Sequence, residues 1–390
     1  MKNKLKMKIQ KYRIQHFVSI IILLHVVLAC ENKRDWTTQI NTPQEFINTF
    51  PLEFGLSAEV HINDTINLLN PFSVETLGSL LWVKNQGTSG TKLISVFDIN
   101  SKDYIGDMFK KGNGPSEYNY SRCYNISKDT MLVLGFYTKK ASLFSAEKLR
   151  NLDQTPDRVF KINTENKEEN IYKTISFNNR LIASGEFEQG RFTTYSLNGN
   201  PLQKFGEYPS INFNDTISNY HLGNLFGANL WFCSNRDNSK LATSSKYSLS
   251  LYDFSAKNDS FTEYFNVEWW KPEIVNAGNL RGKVFVGRTT RGDYKGAGSM
   301  VTKGEYILFP YSQYSVADII KNGIENYYNY IMVMDWESTP LARFKLDKSI
   351  SSSLSIDNEG NYLYSIHTDM ETGFKQIVRF NVHDIIAKID

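Results

Sequence analysis

The sequence predicts an all-β chain, a six-bladed β-propeller of four-stranded antiparallel blades. Three observations predict it: a recurring short apolar run, a second recurring element that ends on a small polar residue, and no long helical pattern past the N-terminus. The apolar runs begin at Leu81, Met131, Leu181, Leu230, Tyr306 and Tyr362, at spacings of 50, 50, 49, 76 and 56 residues. Each follows a turn-like stretch such as SKDT, FNNR, TKGE or NEGN, and so reads as an inner strand entered through a tight turn. High Tyr and Phe content suits strands, where flat side chains pack well on a pleated surface.

The second element comprises SVFD (95–98), ASLFS (141–145), TTYS (193–196), SLYD (250–253), MVMD (332–335) and VRFN (378–381). In each copy an aromatic or Met precedes Asp98, Ser145, Ser196, Asp253, Asp335 or Asn381. The apolar residue fits an alternating strand. The short polar one can accept from the backbone two residues on and start a turn. A unit of about fifty residues built from short strands cannot bury both of its faces alone, and radial stacking buries them. Tandem sandwiches would instead show linkers between domains.

The expected blades are 71–112, 122–160, 172–206, 218–264, 283–346 and 352–384, inside a propeller domain over 53–390. SAEVHI (57–62) alternates as a strand and is expected to pair with the last blade, closing the ring and removing an open edge. The spacing of 76 marks long excursions at 267–299 and 314–330, the second containing the short helical candidate ADIIKNGIENYY.

The N-terminus is a separate matter. MKNKLKMKIQKYR holds six Lys or Arg and no acid, and the apolar run HFVSIIILLHVVLA follows it. That layout is a secretory signal over residues 1–29, excluded from the fold. The run is too short to cross ~30 Å of hydrocarbon comfortably. Val27-Leu28-Ala29-Cys30 resembles the lipobox of bacterial lipoproteins, which implies cleavage before Cys30 and a lipid on its sulfur. Residues 30–52 then read as a polar tether. Without the basic leader the remainder carries 38 basic against 41 acidic residues, so nucleic acid is not an expected partner. Cys123 and Cys233 lack a C-x-x-C companion, which gives a zinc site no support.

Taken together, the lipobox, the tether, the six-fold pattern and the turn Gly112-Asn113-Gly114-Pro115-Ser116-Glu117 resemble the TolB-like six-bladed propeller lipoproteins of gut anaerobes. The resemblance spans about residues 30–386 and implies an outer-membrane lipoprotein, on the periplasmic side or the cell surface, with no catalytic residues to carry over. The glycine-rich turn itself lacks the helix start that a phosphate loop needs, and Pro115 removes a donor. It reads as the corner between two blades.

No G-x-S-x-G and no HxxxH-type motif occurs, so neither catalytic nor metal residues nor a cofactor are assigned. Candidate ligand-binding residues fall in two groups. Trp269 and Trp270, with the basic residues Arg281, Arg288 and Arg291, could form a loop-borne platform for a sugar or protein. Neighbouring residues on a strand point to opposite faces, so the two tryptophans cannot both be buried in the same way. Tyr137, Glu186, Arg236, Tyr311 and His367 lie just past the apolar runs and would ring one mouth of the channel. The expected function is non-enzymatic binding of a glycan or an envelope protein. A channel-site hydrolase or lyase and an envelope scaffold are the alternatives.

Overall fold

The computed structural model describes residues 40–390 except 65–66, 69, 87–91, 111, 113–116, 119–120, 210–216, 228–229, 273, 281–282, 289–292, 323–327 and 390. The expected signal peptide and Cys30 lie outside the described residues. Six blades of antiparallel strands form a ring. The first blade shows the plan, with Pro71–Leu77 innermost, then Leu80–Asn85, Lys92–Asp98 and Tyr104–Lys110 outward.

The period has a strict structural meaning. Leu80, Thr130, Arg180, Lys240, Tyr306 and Tyr362 each open the second strand of a blade. Each pairs across to the polar residue at or near the end of the third strand: Asp98, Ser145, Ser196, Asp253, Asp335 and Asn381, respectively. Several of those polar residues hold the next turn as expected. Asp98 accepts from the Asn100 and Ser101 amides at 3.0 Å each, and Asp335 from the Glu337 amide at 2.9 Å.

The second strands of blades one and two carry apolar runs because both of their faces are buried between blades. Leu80 and Trp82 join Met131 and Val133 in the cluster between blades one and two. Leu81 and Val83 point the other way, into the cluster shared with blade six. Leu132 and Leu134 do the same toward blade three.

Ring closure uses two devices. The expected N-terminal strand, Glu59–Ile62, pairs antiparallel with Lys375–Asn381 as the outer strand of blade six. On the inner side, the Val74 amide donates to Ser353 Oγ at 3.0 Å, and Ser353 Oγ donates back to the Val74 carbonyl at 3.1 Å. The Thr76 amide likewise donates to Ser355 Oγ at 3.0 Å, and the two hydroxyls share a hydrogen bond at 3.1 Å.

Three expectations need correction. The run at Leu230 is not equivalent to the other five: it is the first strand of blade four, Leu230–Ser234, whereas they lie on second strands, that of blade four being Lys240–Ser245. Apolar alternation looks the same in either position, so the pattern alone could not separate them. The stretch from 283 does not begin blade five: Ile274–Leu280 and Lys283–Arg288 pair only with each other, and the blade starts at Tyr294–Ala297. Finally, the segment expected to be a tether is built into the fold from Ile40 onward. Thr42 caps the helix Pro43–Asn48 through a capping box with Glu45. Phe46 is fully buried against Trp269 and Tyr311, with ring centroids at 4.6 and 5.0 Å. Leu52–Leu56 then runs parallel to Pro340–Ile350 as an extra outer strand on blade five.

Candidate functional site

Strand direction sorts the loops onto two ends of the ring. First strands enter and second strands leave at one end, while the hairpins joining first to second strands lie at the other. At the entry end a cavity of about 810 Å³ opens, and all six blades line it. Pro71, Arg122, Lys173, Trp231, Tyr294 and Ser353 represent blades one to six in that wall.

Its charge is unbalanced. Lys84, Arg122, Lys173, Lys246, Lys295 and Lys375 line it, against Glu75 and Asp293. Lys246 and Asp293 form an ion pair, both deeply buried. Lys375 donates to Asn70 Oδ1 at 2.8 Å and to the Pro71 carbonyl at 3.1 Å, which binds the rim of blade six to that of blade one.

Glu75, Lys84, Arg122 and Lys173 form the remaining group, on blades one to three. Burial pushes the Glu75 carboxyl up to about 7, opposed by the Lys173 and Lys84 ammoniums and by the Asn125 amide. Burial likewise pulls Lys173 down to about 8, with Glu75 pulling upward and Arg122 and Lys84 adding repulsion. Lys84 is lowered by burial too, and donates to the Ser121 carbonyl at 3.0 Å. Aromatic faces accompany these cations: Lys173 Nζ lies 5.2 Å from the Trp231 ring centre and 5.7 Å from that of Tyr124. Lys84 Nζ lies 5.5 Å from the Phe72 ring centre. Among the described residues no group of three His, Cys, Asp or Glu is placed to hold a metal ion.

The residues expected to ring the channel do not do so. Tyr137 is exposed at the entry end, edge-on to Phe136, but does not line the cavity. Glu186 is buried and accepts from Asn170 Nδ2 at 2.5 Å, from Asn224 Nδ2 at 2.9 Å and from the Tyr172 hydroxyl. It fastens the helix Asn219–Gly227 onto blade three, where a Cβ on Gly223 would stand 2.5 Å from the Gly185 carbonyl oxygen. Tyr311 is fully buried in the Phe46–Trp269 cluster. His367 sits between the cavity-lining Ile366 and Thr368, and strand alternation turns it away, onto the Ser349 carbonyl at 2.7 Å. Arg236 lies at the opposite end, in the hairpin between the first two strands of blade four, because the run before it is a first strand.

The tryptophan pair, just past the strand Ser260–Glu268, splits between core and surface. Trp269 is wholly buried and donates Nε1–H to the Lys246 carbonyl at 2.8 Å, whereas Trp270 is half-exposed and stacks on Tyr247 at 5.4 Å. Arg281 and Arg291 lie outside the described residues, and Arg288 closes the small hairpin outside the blades. Of the basic stretch, Lys295 lines the cavity beside Tyr294, and the acid Asp293 belongs to the buried ion pair. The glycine-rich corner leads from blade one to blade two: Glu117 bridges Lys110, and the Tyr118 amide donates to the Lys110 carbonyl at 2.9 Å. Cys123 and Cys233 are free and buried, in different blades.

Several of the lining residues went unnoticed in the sequence because they stand on first strands, ahead of the apolar runs that mark the period. Their signal is a charge in mid-strand just ahead of each apolar run: Glu75, Arg122 and Lys173.

Residues 50–376 match the family described as TolB-like 6-blade propeller-like. The chain belongs to the TolB-like six-bladed propeller family. Among solved structures, this family member is similar to a protein of Bacteroides fragilis described as exported, at 9% identity and a TM-score of 0.51. That alignment covers 84% of this chain and 98% of the other. A luciferin-regenerating enzyme aligns at 9% identity and a TM-score of 0.47, over 83% of this chain and 95% of its own. None of the curated proteins compared with the TolB-like chain matches it. No helix of the described residues is long and apolar enough to cross a membrane.

Proposed function

We propose that this TolB-like chain is an exported, non-enzymatic binding propeller, anchored to the membrane by a lipid on Cys30, that takes a ligand into the cavity at the entry end. One observation carries the reading: six blades converge on a single opening of about 810 Å³ that combines aromatic faces with polar and charged groups. That size lies within the ~300–1,000 Å³ typical of small-ligand sites. A glycan end or a segment of an envelope protein fits such an opening. The test is a thermal-shift screen of glycans and peptides against the full chain in detergent, with each hit repeated on Trp231→Ala. Hits that Trp231→Ala weakens support the cavity as the site, and hits it leaves untouched overturn it.

The anchor has its own test. Cys30→Ala is expected to move the protein from the membrane to the soluble fraction and to stop signal processing. Unchanged partitioning would sink the lipoprotein reading.

A second reading has a specific observation behind it. Glu75 and Lys173 are displaced from their ordinary ranges toward neutrality in one cavity, as acid and base partners often are. A channel-site hydrolase or lyase would lose turnover in Glu75→Gln while still binding its substrate.

A further inference from the structure

We infer that the cavity selects an oxyanion, a carboxylate or sulfate borne on a body with a flat apolar face, seated among Lys84, Arg122 and Lys173 with Glu75 as the internal anion that holds its place. This inference rests on the binding reading above and gives that site its ligand chemistry.

Lys246 pairs with Asp293, and the other cations of the lining, Lys84, Arg122 and Lys173 among them, stand in it with one further acid, Glu75. Lys375 is further occupied by Asn70 and Pro71 at the rim. Three of the remaining cations stand on adjacent blades, Lys84 on blade one, Arg122 on blade two and Lys173 on blade three, and repel one another through a partly desolvated space. A cluster of this kind is unfavourable unless something anionic joins it. Glu75 is the group present, and its own burial works against its charge, with Lys173, Lys84 and the buried Cys123 as its charged and titratable neighbours, while Arg122 acts on both lysines.

An entering oxyanion would compete with Glu75 for the same cations, and Glu75 can step aside by taking a proton. Arg122 offers planar paired donors suited to a carboxylate or sulfate, and Lys173 a point charge. Phe72, Tyr124 and Trp231 supply flat apolar surface next to those charges. The geometry therefore favours an anion joined to a ring over a bare ion.

The experiment titrates the full chain in detergent at low salt with three probes: trigalacturonate, neutral galactotriose and inorganic sulfate. Trigalacturonate is expected to bind most tightly, roughly tenfold or more better than galactotriose, since one charge-assisted contact is lost in the neutral sugar. Sulfate is expected to compete with it. Lys173→Met and Arg122→Met should each weaken trigalacturonate about tenfold, Lys173→Arg should restore most of that, and Glu75→Gln should tighten it at pH 8. Arg236→Met, at the far end of the ring, is the control and should change nothing. Equal weakening by Arg236→Met and Lys173→Met would overturn the inference, as would failure of both anions to bind. Galactotriose binding in a Trp231-dependent way, at least as well as trigalacturonate, would overturn the anion assignment and leave the binding propeller standing. Circular dichroism of each variant separates loss of the site from loss of the fold.

Discussion

Two sets of charges face the same cavity and have different fates. Lys246 and Asp293 neutralise each other, and the Asp293 carbonyl also accepts the Val316 amide at 2.7 Å. This pair ties a hairpin of blade four to the strand that opens blade five. Across the opening, Glu75, Lys84, Arg122 and Lys173 hold three positive charges against one negative. The first set is closed upon itself and contributes to the fold. The second is left unbalanced at some cost to the fold, which is the usual condition of a binding site.

The largest effect should come from breaking the closed pair. Asp293→Ala leaves a buried ammonium without its counter-charge and is expected to cost about 3 kcal/mol, read from urea unfolding. Replacing both partners by apolar residues of similar volume should recover most of that loss. A single mutant as stable as the parent would erase the distinction between the two sets.

The second test is pH. A carboxyl whose folded value lies above its unfolded one keeps its proton longer in the native state, so stability falls as pH rises through that interval. For Glu75 the interval runs from its ordinary 4.5 to about 7. The loss should be on the order of 1 kcal/mol at this partly open site. Glu75→Gln should flatten that part of the profile, and an identical slope in the variant would remove Glu75 from the account.

The smallest effect is a gain. Lys173→Met removes one of three mutually repelling cations and should stabilise the protein by up to about 1 kcal/mol while it weakens anion binding. A stability loss would show that Lys173 serves the fold instead.

Much of the fold could be read directly from the residues, and the site could not. The third-strand elements ending on Asp98 through Asn381 are structurally equivalent in all six blades, because a buried strand that turns at its polar end leaves the same local signature each time. Glu59–Ile62 could be read as the closing strand from its alternation and from the open edge that the ring would otherwise leave. Leu230 misled because a first strand and a second strand share one alternation. Tyr311, Glu186 and His367 misled because position just past an apolar run does not say whether a side chain turns to the channel, the core or a neighbouring backbone.

The sequence by itself determined what depends on neighbours a few residues apart: strand period, turn chemistry and the number of blades. Only the tertiary structure decided what depends on residues a blade apart. It buried Trp269 beneath Phe46, drew Glu186 into the helix Asn219–Gly227, and brought Lys84, Arg122 and Lys173 to one wall. The reason is physical. Blade period follows from local backbone hydrogen bonding, whereas the charge of a channel is a sum over strands that no stretch of sequence contains.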